Sequence, residues 1–323
     1  MRERSSCSLI YICTKLYNYN DKLQAEYLER AIKKRVQCGT FMPFRDTDEN
    51  NLMGPNRTKI VYESDIERLD SGKIVLLAVL YDGICKDEGI SFEIGYAYGK
   101  GIPIFIINTD FIWYAVEEKE FLFDPVISEM CSHYLHQYDI INNGSFYNSL
   151  LFSQNTAFDL AAEQIQQILD NSPMTTHNRE KLIVKNDVFI DFGGGKYEYQ
   201  REYSNWLKGE LNKTGITVEI ANRYSVFGEN SGKADIQHML ESEIYVCLGD
   251  ESELNAGSAA LLGLAKCSHK KTILYESSDV EIHGENGHRM KKNLMIDFSV
   301  ERLAKTKQEI IDIILEEMQC MKK

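Results

Sequence analysis

The chain has 323 residues, 43% apolar and 26% charged, enough for one large core or two ordinary ones in a soluble protein. Its formal net charge of −13 argues against a nucleic-acid backbone or an anionic membrane as the main partner, but not against a small anionic ligand held by local groups. Eight scattered cysteines show no Cys-x-x-Cys pair and no zinc spacing, the pattern of reduced thiols in a cytoplasmic chain without a metal.

The basic start "MRERSSCSLIYICTK" has too short an apolar run, and no cleavage site, for a secretory signal. No stretch approaches the roughly 20 apolar residues that span a bilayer. "SLIYICT" then reads as a buried strand and "DKLQAEYLERAIKKR" as an amphipathic helix. "TFMPFRD" reads as a strand entering a loop, "IVYESDIERLD" as a helix and "KIVLLAVL" as a strongly buried strand. In "DEGISFEIGYAYGKGIP", residues 87–103, a helix opens near Gly89 and closes at Lys100-Gly101. "IPIFIIN" is a further strand and "AFDLAAEQIQQILD" a closing helix. Buried strands alternating with helices imply a parallel sheet covered on both faces.

After the polar "NSPMTTHNREK" the order recurs. "DVFIDF", "TVEIA", "EIYVCLGD" and "KTILYE" are strands; "YQREYSNWLKGELNK", "KADIQHMLE", "AGSAALLGLAK" and "VERLAKTKQEIIDIILEEM" are helices. Asp65 and Asp235 each stand nine positions before the first isoleucine of the central strand, Ile74 and Ile244. Gly89 and Gly95 correspond to Gly257 and Gly263, both 168 positions on. A tandem duplication accounts for that order.

Ligands of parallel α/β sheets bind at the carboxyl ends of the strands. Asp82 and Asp87, in the loop after the central strand, and Glu93, in the helix that follows, can reach that edge. Glu93 shares its helix face with Gly89 and Ala97, small neighbours that let a ligand approach. Tyr11 on the first strand meets Glu93 if the first and fourth strands are neighbours. Blander roles exist: Asp82-Gly83 is a good turn, Asp87 a natural helix cap, and a lone helical Glu is usually solvated. In the second repeat Tyr11 becomes Phe189, Asp87 becomes Asn255 and Glu93 becomes Leu261, while Asp235 keeps the acid of Asp65. One active copy and one that has lost its chemistry explains this coordinated change.

Tyr11, Asp65 and the run D-x-G-x-x-x-E-x-G-Y-A from Asp87 to Ala97 resemble the nucleoside 2-deoxyribosyltransferase family. The resemblance covers most of the first repeat and, weakened, the second. It implies an α/β protein of two doubly wound, flavodoxin-like or Rossmann-like parallel-sheet domains arranged as an internal pseudo-dimer. Residues 1–172 would be catalytic, 173–186 a linker, and 187–323 a degenerate domain that completes the first site. The implied chemistry is cleavage of an N-glycosidic bond without metal or organic cofactor. Glu93 matches the nucleophile, Tyr11 the residue that holds it, and Asp87 and Asp65 the acids that contact the leaving base. "KKNLMIDFS" matches a segment that crosses to the neighbouring subunit's sugar, through Asn293 and Met295; the alternative is that Asn293 only caps a helix. The reciprocal segment is read as "FYNSLLFS", with Asn148 and no methionine. Arg45 and Asp46 of "PFRD" fall where the family places a base-contacting loop. Lys15 departs from the small turn common there, and would suit a 5′-phosphate.

"DFGGGKYEY" at 191–199 lacks G-x-G-x-x-G, so it is a phosphate cradle or simply a turn. His283 and His288, in a loop, show no ligand spacing. The expected partner is thus a nucleoside, a nucleotide or NAD, with room for further oligomerisation. The rival expectation is a nucleotide-sensing or effector protein, an NAD-cleaving effector included, whose degenerate second domain binds the ligand or a partner.

Overall fold

The computed structural model describes residues 8–47, 57–82, 87–112, 114–116, 119–121, 123–171, 183–224, 231–250, 253–281, 283–285 and 288–321, and every structural statement below concerns these. Most of the expected 173–186 linker lies outside them.

The first repeat runs β1 (Leu9–Cys13), α1 (Tyr19–Arg35), β2 (Gly39–Phe41), α2 (Pro43–Asp46), α3 (Arg57–Asp70), β3 (Ile74–Leu80), α4 (Glu88–Gly99) and β4 (Ile104–Asn108). A hairpin of β5 (Tyr114–Val116) and β6 (Lys119–Phe121), α5 (Pro125–Met130), β7 (His133–His136) and α6 (Phe146–Asn171) complete it. The second runs β8 (Asn186–Asp191), α7 (Glu198–Lys213), β9 (Val218–Ile220), α8 (Ser231–Leu240), β10 (Ser242–Leu248), α9 (Ala256–Cys267) and β11 (Lys271–Tyr275). It ends with a hairpin of β12 (His283–Glu285) and β13 (His288–Met290), then α10 (Leu294–Asp297), β14 (Arg302–Ala304) and α11 (Lys307–Met321).

Local chemistry sets these elements. Asn18 caps α1 by accepting from the Asp21 N–H at 3.0 Å, and Lys33, Lys34 and Arg35 meet the negative end of its dipole. Ala25, Leu28, Ala31 and Ile32 form its buried stripe. Ile10, Ile12, Leu76, Ala78, Phe105 and Ile107 bring the strands onto that stripe and onto Phe158, Ala161 and Ile165 of α6. In the second core Val188, Ile190, Val246 and Ile273 meet Leu207 and Leu211 of α7 and Ile310 and Ile314 of α11.

Both sheets are wholly parallel, in the orders β2-β1-β3-β4-β7 and β9-β8-β10-β11-β14. Counted within each repeat this is 2-1-3-4-5, a doubly wound order whose switch point lies between the first and third strands. Several elements differ from expectation. Strand β1 lies between β2 and β3, so the first and fourth strands are not neighbours. "PFRD" forms the single turn α2 rather than a loop, because Pro43 sets the first helical position and Asp46 caps the Met42 N–H at 2.8 Å. Each sheet has an unforeseen fifth strand. Only Leu135 of β7 is buried, too little for a visible period. Val300–Ala304 is likewise not helical, and the last helix starts at Lys307. His283 and His288 begin the two strands of a hairpin, not a loop.

The chain divides into two compact units. One comprises Met1–Ile90, Lys100–Ile112 and Cys131–Asn178; the other Ser91–Gly99, Trp113–Met130 and Arg179–Lys323. The second unit therefore contains, besides the β8 sheet, most of α4 and all of α5 from the first repeat. Within it α4 and α9 cross at two glycines. A Cβ on Gly95 would lie 1.8 Å from the Ala260 carbonyl oxygen, and one on Gly263 would lie 2.0 Å from that of Phe92. Gly95 and Gly263 are 168 positions apart, as are Phe92 and Ala260, so either helix presents the same contact to the other. That reciprocity marks a two-fold, pseudo-dimeric crossing.

Candidate active site and its altered copy

Strand register aligns the two copies. Tyr11 pairs with Leu77 and Phe41, and Phe189 pairs with Tyr245 and Glu219. Strands β3 and β10, and helices α4 and α9, begin and end 168 positions apart. Asp65 and Asp235 each stand five residues before the end of α3 or α8. The counterpart of Ile74 is thus Ser242 rather than Ile244, and the shared nine-residue spacing reflects a shorter connection in the second copy.

In the first unit Tyr11 is fully buried on β1, its ring 5.0 Å from that of Phe41. Asp65 on α3 is 4% exposed. Asp87 is buried and accepts the Ile90 N–H at 2.8 Å, capping α4 beside Gly89. Lys15 is half-buried beyond the end of β1. Asp82 spends both carboxylate oxygens on Thr109, at 2.6 Å to its N–H and 2.7 Å to its hydroxyl. Its counterpart Asp250 accepts the Ser277 N–H at 2.7 Å, so this clasp between strand ends is structural in both copies.

Arg45 pairs with neighbouring carboxylates. Its guanidinium donates to Glu29 at 2.6 Å and to Asp46 at 2.7 and 2.6 Å. Burial opposes ionisation of Glu29, but hydrogen bonds from Arg45, Lys33 and Thr40 outweigh it and hold that carboxyl down at about 2. Arg45 and Asp46 are therefore committed to each other and to Glu29.

In the second unit Glu93 is 7% exposed on α4, among fully buried Phe92, Ile94 and Ala97. Its counterpart Leu261 is fully buried. Asn293 accepts the Met295 N–H at 2.9 Å, capping α10, and Met295 is buried. The cap role weighed from sequence is thus real. The segment that corresponds to it is not "FYNSLLFS". Asn148 is exposed in the first turn of α6, which begins well before the apolar period seen in the sequence. The counterpart is Asp124, which caps α5 by accepting the Val126 N–H at 2.8 Å. A short helix and then an edge strand follow in each copy.

Asp124 leads to a cluster that sequence reasoning missed. Arg223 follows β9 as Arg45 follows β2, four residues past the paired positions Glu219 and Phe41. Unlike Arg45 it points inward and is fully buried, and all five of its N–H donors are used. Nε donates to Asp124 at 3.2 Å. Nη1 donates to Asp191 at 3.3 Å and to Asp235 at 3.2 Å. Nη2 donates to Asn255 and to Ser258, both at 3.0 Å. The Tyr224 hydroxyl donates to Asp124, and that of Tyr245 to Asp191 at 3.1 Å. Of the three glycines after β8, Gly194 lies against the arginine: its N–H donates to Asp191 at 3.0 Å, and a Cβ on it would lie 2.5 Å from Arg223. Burial pushes the Asp235 carboxyl up to about 7, against the pull of Arg223 and with the help of the Asp191 charge. An arginine at the same register in both copies was the available sequence signal.

Residues 10–138 match the family model for nucleoside 2-deoxyribosyltransferase. The first repeat carries a nucleoside 2-deoxyribosyltransferase domain. No curated protein matches the chain. Among solved structures, a conserved protein from Enterococcus faecalis V583 aligns at 16% identity over 41% of this chain and 99% of its own, with TM-score 0.33. The C-terminal part of E. coli RcsC, with its linker region and phosphoreceiver domain, aligns at 8% identity over 98% of this chain and 93% of its own, with TM-score 0.24. At such scores neither bears on function. The matched stretch contains the positions named from sequence between Tyr11 and Glu93, whereas Asn293 and Met295 lie outside it. Among the described residues no cluster of metal-binding side chains occurs, and no helix is long and apolar enough to cross a membrane.

Proposed function

We propose that the first repeat cleaves the N-glycosidic bond of a nucleoside or nucleotide through a glycosyl-enzyme intermediate on Glu93. The observation that carries this reading is Glu93 itself. It is a carboxylate 7% exposed on an apolar helix of the family-matched stretch, where the second copy has buried Leu261. Burying a carboxylate is costly, and chemistry at that position is a reason to bear the cost.

In this mechanism a Glu93 oxygen attacks the anomeric carbon, and the bond to the base nitrogen breaks. Asp87, assisted by Asp65, supplies the proton the base takes with its electron pair; Tyr11 keeps Glu93 in line. A second base, or water, then displaces Glu93 and restores the free carboxylate. Gly89 leaves room for the ligand, and Lys15 would meet a 5′-phosphate. The two-fold crossing of α4 and α9 supports a part for Asn293 and Met295. In this reading Asn293 and Met295 would meet the sugar, as the family resemblance implies. Residues 1–172 and 187–323, joined by 173–186, then act as a cytoplasmic pseudo-dimer with one live site.

The test is chromatographic. Wild type and Glu93→Gln are incubated with each deoxynucleoside, deoxynucleoside monophosphate and NAD, with and without a second free base. Base released by wild type alone is expected, and a new nucleoside formed only with added base makes the protein a transferase. Equal inertness of both proteins on every substrate would remove the catalytic reading. The rival, in which the degenerate domain binds the nucleotide, is disfavoured because Arg223 already lies against the groups such a ligand would use.

A further inference from the structure

We propose that the ligand site of the second repeat is occupied by the chain's own Arg223, so that this repeat is a closed copy held shut by an internal guanidinium. The inference rests on which groups surround it. Asp235, Asn255 and Gly257 are the counterparts of Asp65, Asp87 and Gly89, and Asp124 is the counterpart of Asn293. Four positions expected to face substrate in the first copy thus face an arginine in the second. At Gly257 the approach is so close that a Cβ would lie 2.6 Å from Arg223 Nε. This is the close approach that the small face of α4 offers a ligand.

The location agrees. Asp191 ends β8, and Asn255 and Ser258 open the helix after β10, so the guanidinium lies at the switch point between the first and third strands of the sheet. That is the place where doubly wound folds bind ligands. Side chains saturate the planar five-donor fork, which makes Arg223 an occupant with complete recognition. The neighbouring changes are consistent with it. Leu261 removes the carboxylate that would attack a sugar, and Asn255 offers the guanidinium an amide oxygen. Asp191, where the first copy has Cys13, adds an acceptor for a cation. The site has become one for an alkylguanidinium, and the chain supplies its own.

The test uses the full chain with Arg223→Ala, thermal melting and ethylguanidinium chloride at millimolar concentration, with ethylammonium and sodium chloride as controls. Removal of the arginine is expected to lower Tm by roughly 10 °C, as loss of one partner in a buried ion cluster does. Ethylguanidinium should restore part of this loss saturably, with one ion bound per chain; ethylammonium should not, and wild type should respond to neither. An unchanged Tm on substitution would overturn the proposal, as would an ethylguanidinium effect no larger than that of ethylammonium. Should Arg223→Ala fail to fold even with ethylguanidinium present, Arg223→Lys decides. A lone ammonium cannot satisfy the fork's acceptors, so its Tm should fall below wild type, and equality with wild type would overturn the proposal. These readouts are thermal and owe nothing to turnover, so their failure leaves the Glu93 reading standing, and the converse holds.

Discussion

Arg45 and Arg223 occupy the same register in two copies of one fold and do opposite things. The first lies outward on Glu29 and Asp46; the second lies inward on three aspartates, an asparagine and a serine. The first copy keeps a buried carboxylate on its glycine-lined helix, and the second keeps leucine there. A duplicated site can therefore lose its chemistry without becoming an empty cavity. Its polar groups still need partners, because an unsatisfied buried carboxylate costs far more than a paired one. Filling the site from within meets that need.

The largest test of this contrast imports the second copy's residue into the first. Glu93→Leu should abolish glycosidic cleavage, by about 10⁴-fold or more, since no other group replaces a covalent nucleophile. Its Tm should equal or exceed that of wild type, because the change removes a buried carboxylate. A mutant with wild-type turnover would show that Glu93 is a packing residue. Next in size is Asp87→Asn, the change seen at Asn255. Turnover should fall roughly 10²–10³-fold as the leaving base loses its acid. Stability should move by less than about 0.5 kcal/mol, because asparagine caps a helix as well as aspartate does. A large stability loss with activity kept would make Asp87 a cap alone.

Much of this was legible in the chain. Long apolar runs such as "KIVLLAVL" announce buried strands, and preserved offsets announce the duplication. The D-x-G-x-x-x-E run places Glu93 and Asp87 on one helix start. What stayed hidden depends on partners distant in sequence. The fifth strands carry three or four residues and little apolar content. Asp124 and Arg223 are 99 positions apart, and nothing local shows that they meet. Asn148 shares its residue type with Asn293 but not its position after the fourth strand, and it is position that makes Asp124 the counterpart. Asp82 stands in sequence where a ligand-facing acid would, and its two hydrogen bonds to Thr109 are visible only once β3 and β4 are paired.

The closed copy also predicts a pH dependence. Asp235, with an ordinary value of 3.8, is pushed up to about 7 by burial beside Asp191, Asp124, Arg223, Tyr224 and Tyr245. The folded protein then holds a proton that the unfolded chain releases. Stability from this group is complete below the ordinary carboxylate range and is lost as pH rises through about 7. Between pH 5 and 7.5 the Tm should fall with rising pH, and Asp235→Asn should flatten that slope. Glu29, held down at about 2, acts in the opposite sense and only in more acidic solution, so it does not mask the effect. A slope unchanged by Asp235→Asn would place the proton elsewhere.

The smallest expected effect compares the two arginines directly. Arg45 is 38% exposed and shares Glu29 with Lys33, so Arg45→Ala leaves that carboxylate a cation at 2.8 Å. A partly exposed pair of this kind contributes about 1 kcal/mol or less. Arg223→Ala, by contrast, leaves a buried cluster of three aspartates without its cation, a loss on the order of 3–5 kcal/mol. The ratio of the two, measured by urea unfolding of the same full chain, should exceed about threefold. KM is the second readout. With its guanidinium spent on Glu29 and Asp46, Arg45 contributes little to substrate binding, and KM in Arg45→Ala should stay within about twofold of wild type. A rise in KM of about tenfold with kcat unchanged would mean that Arg45 leaves Glu29 to bind substrate. It would then swing inward as Arg223 has done permanently, and the two copies would differ in how long the same arginine stays inside.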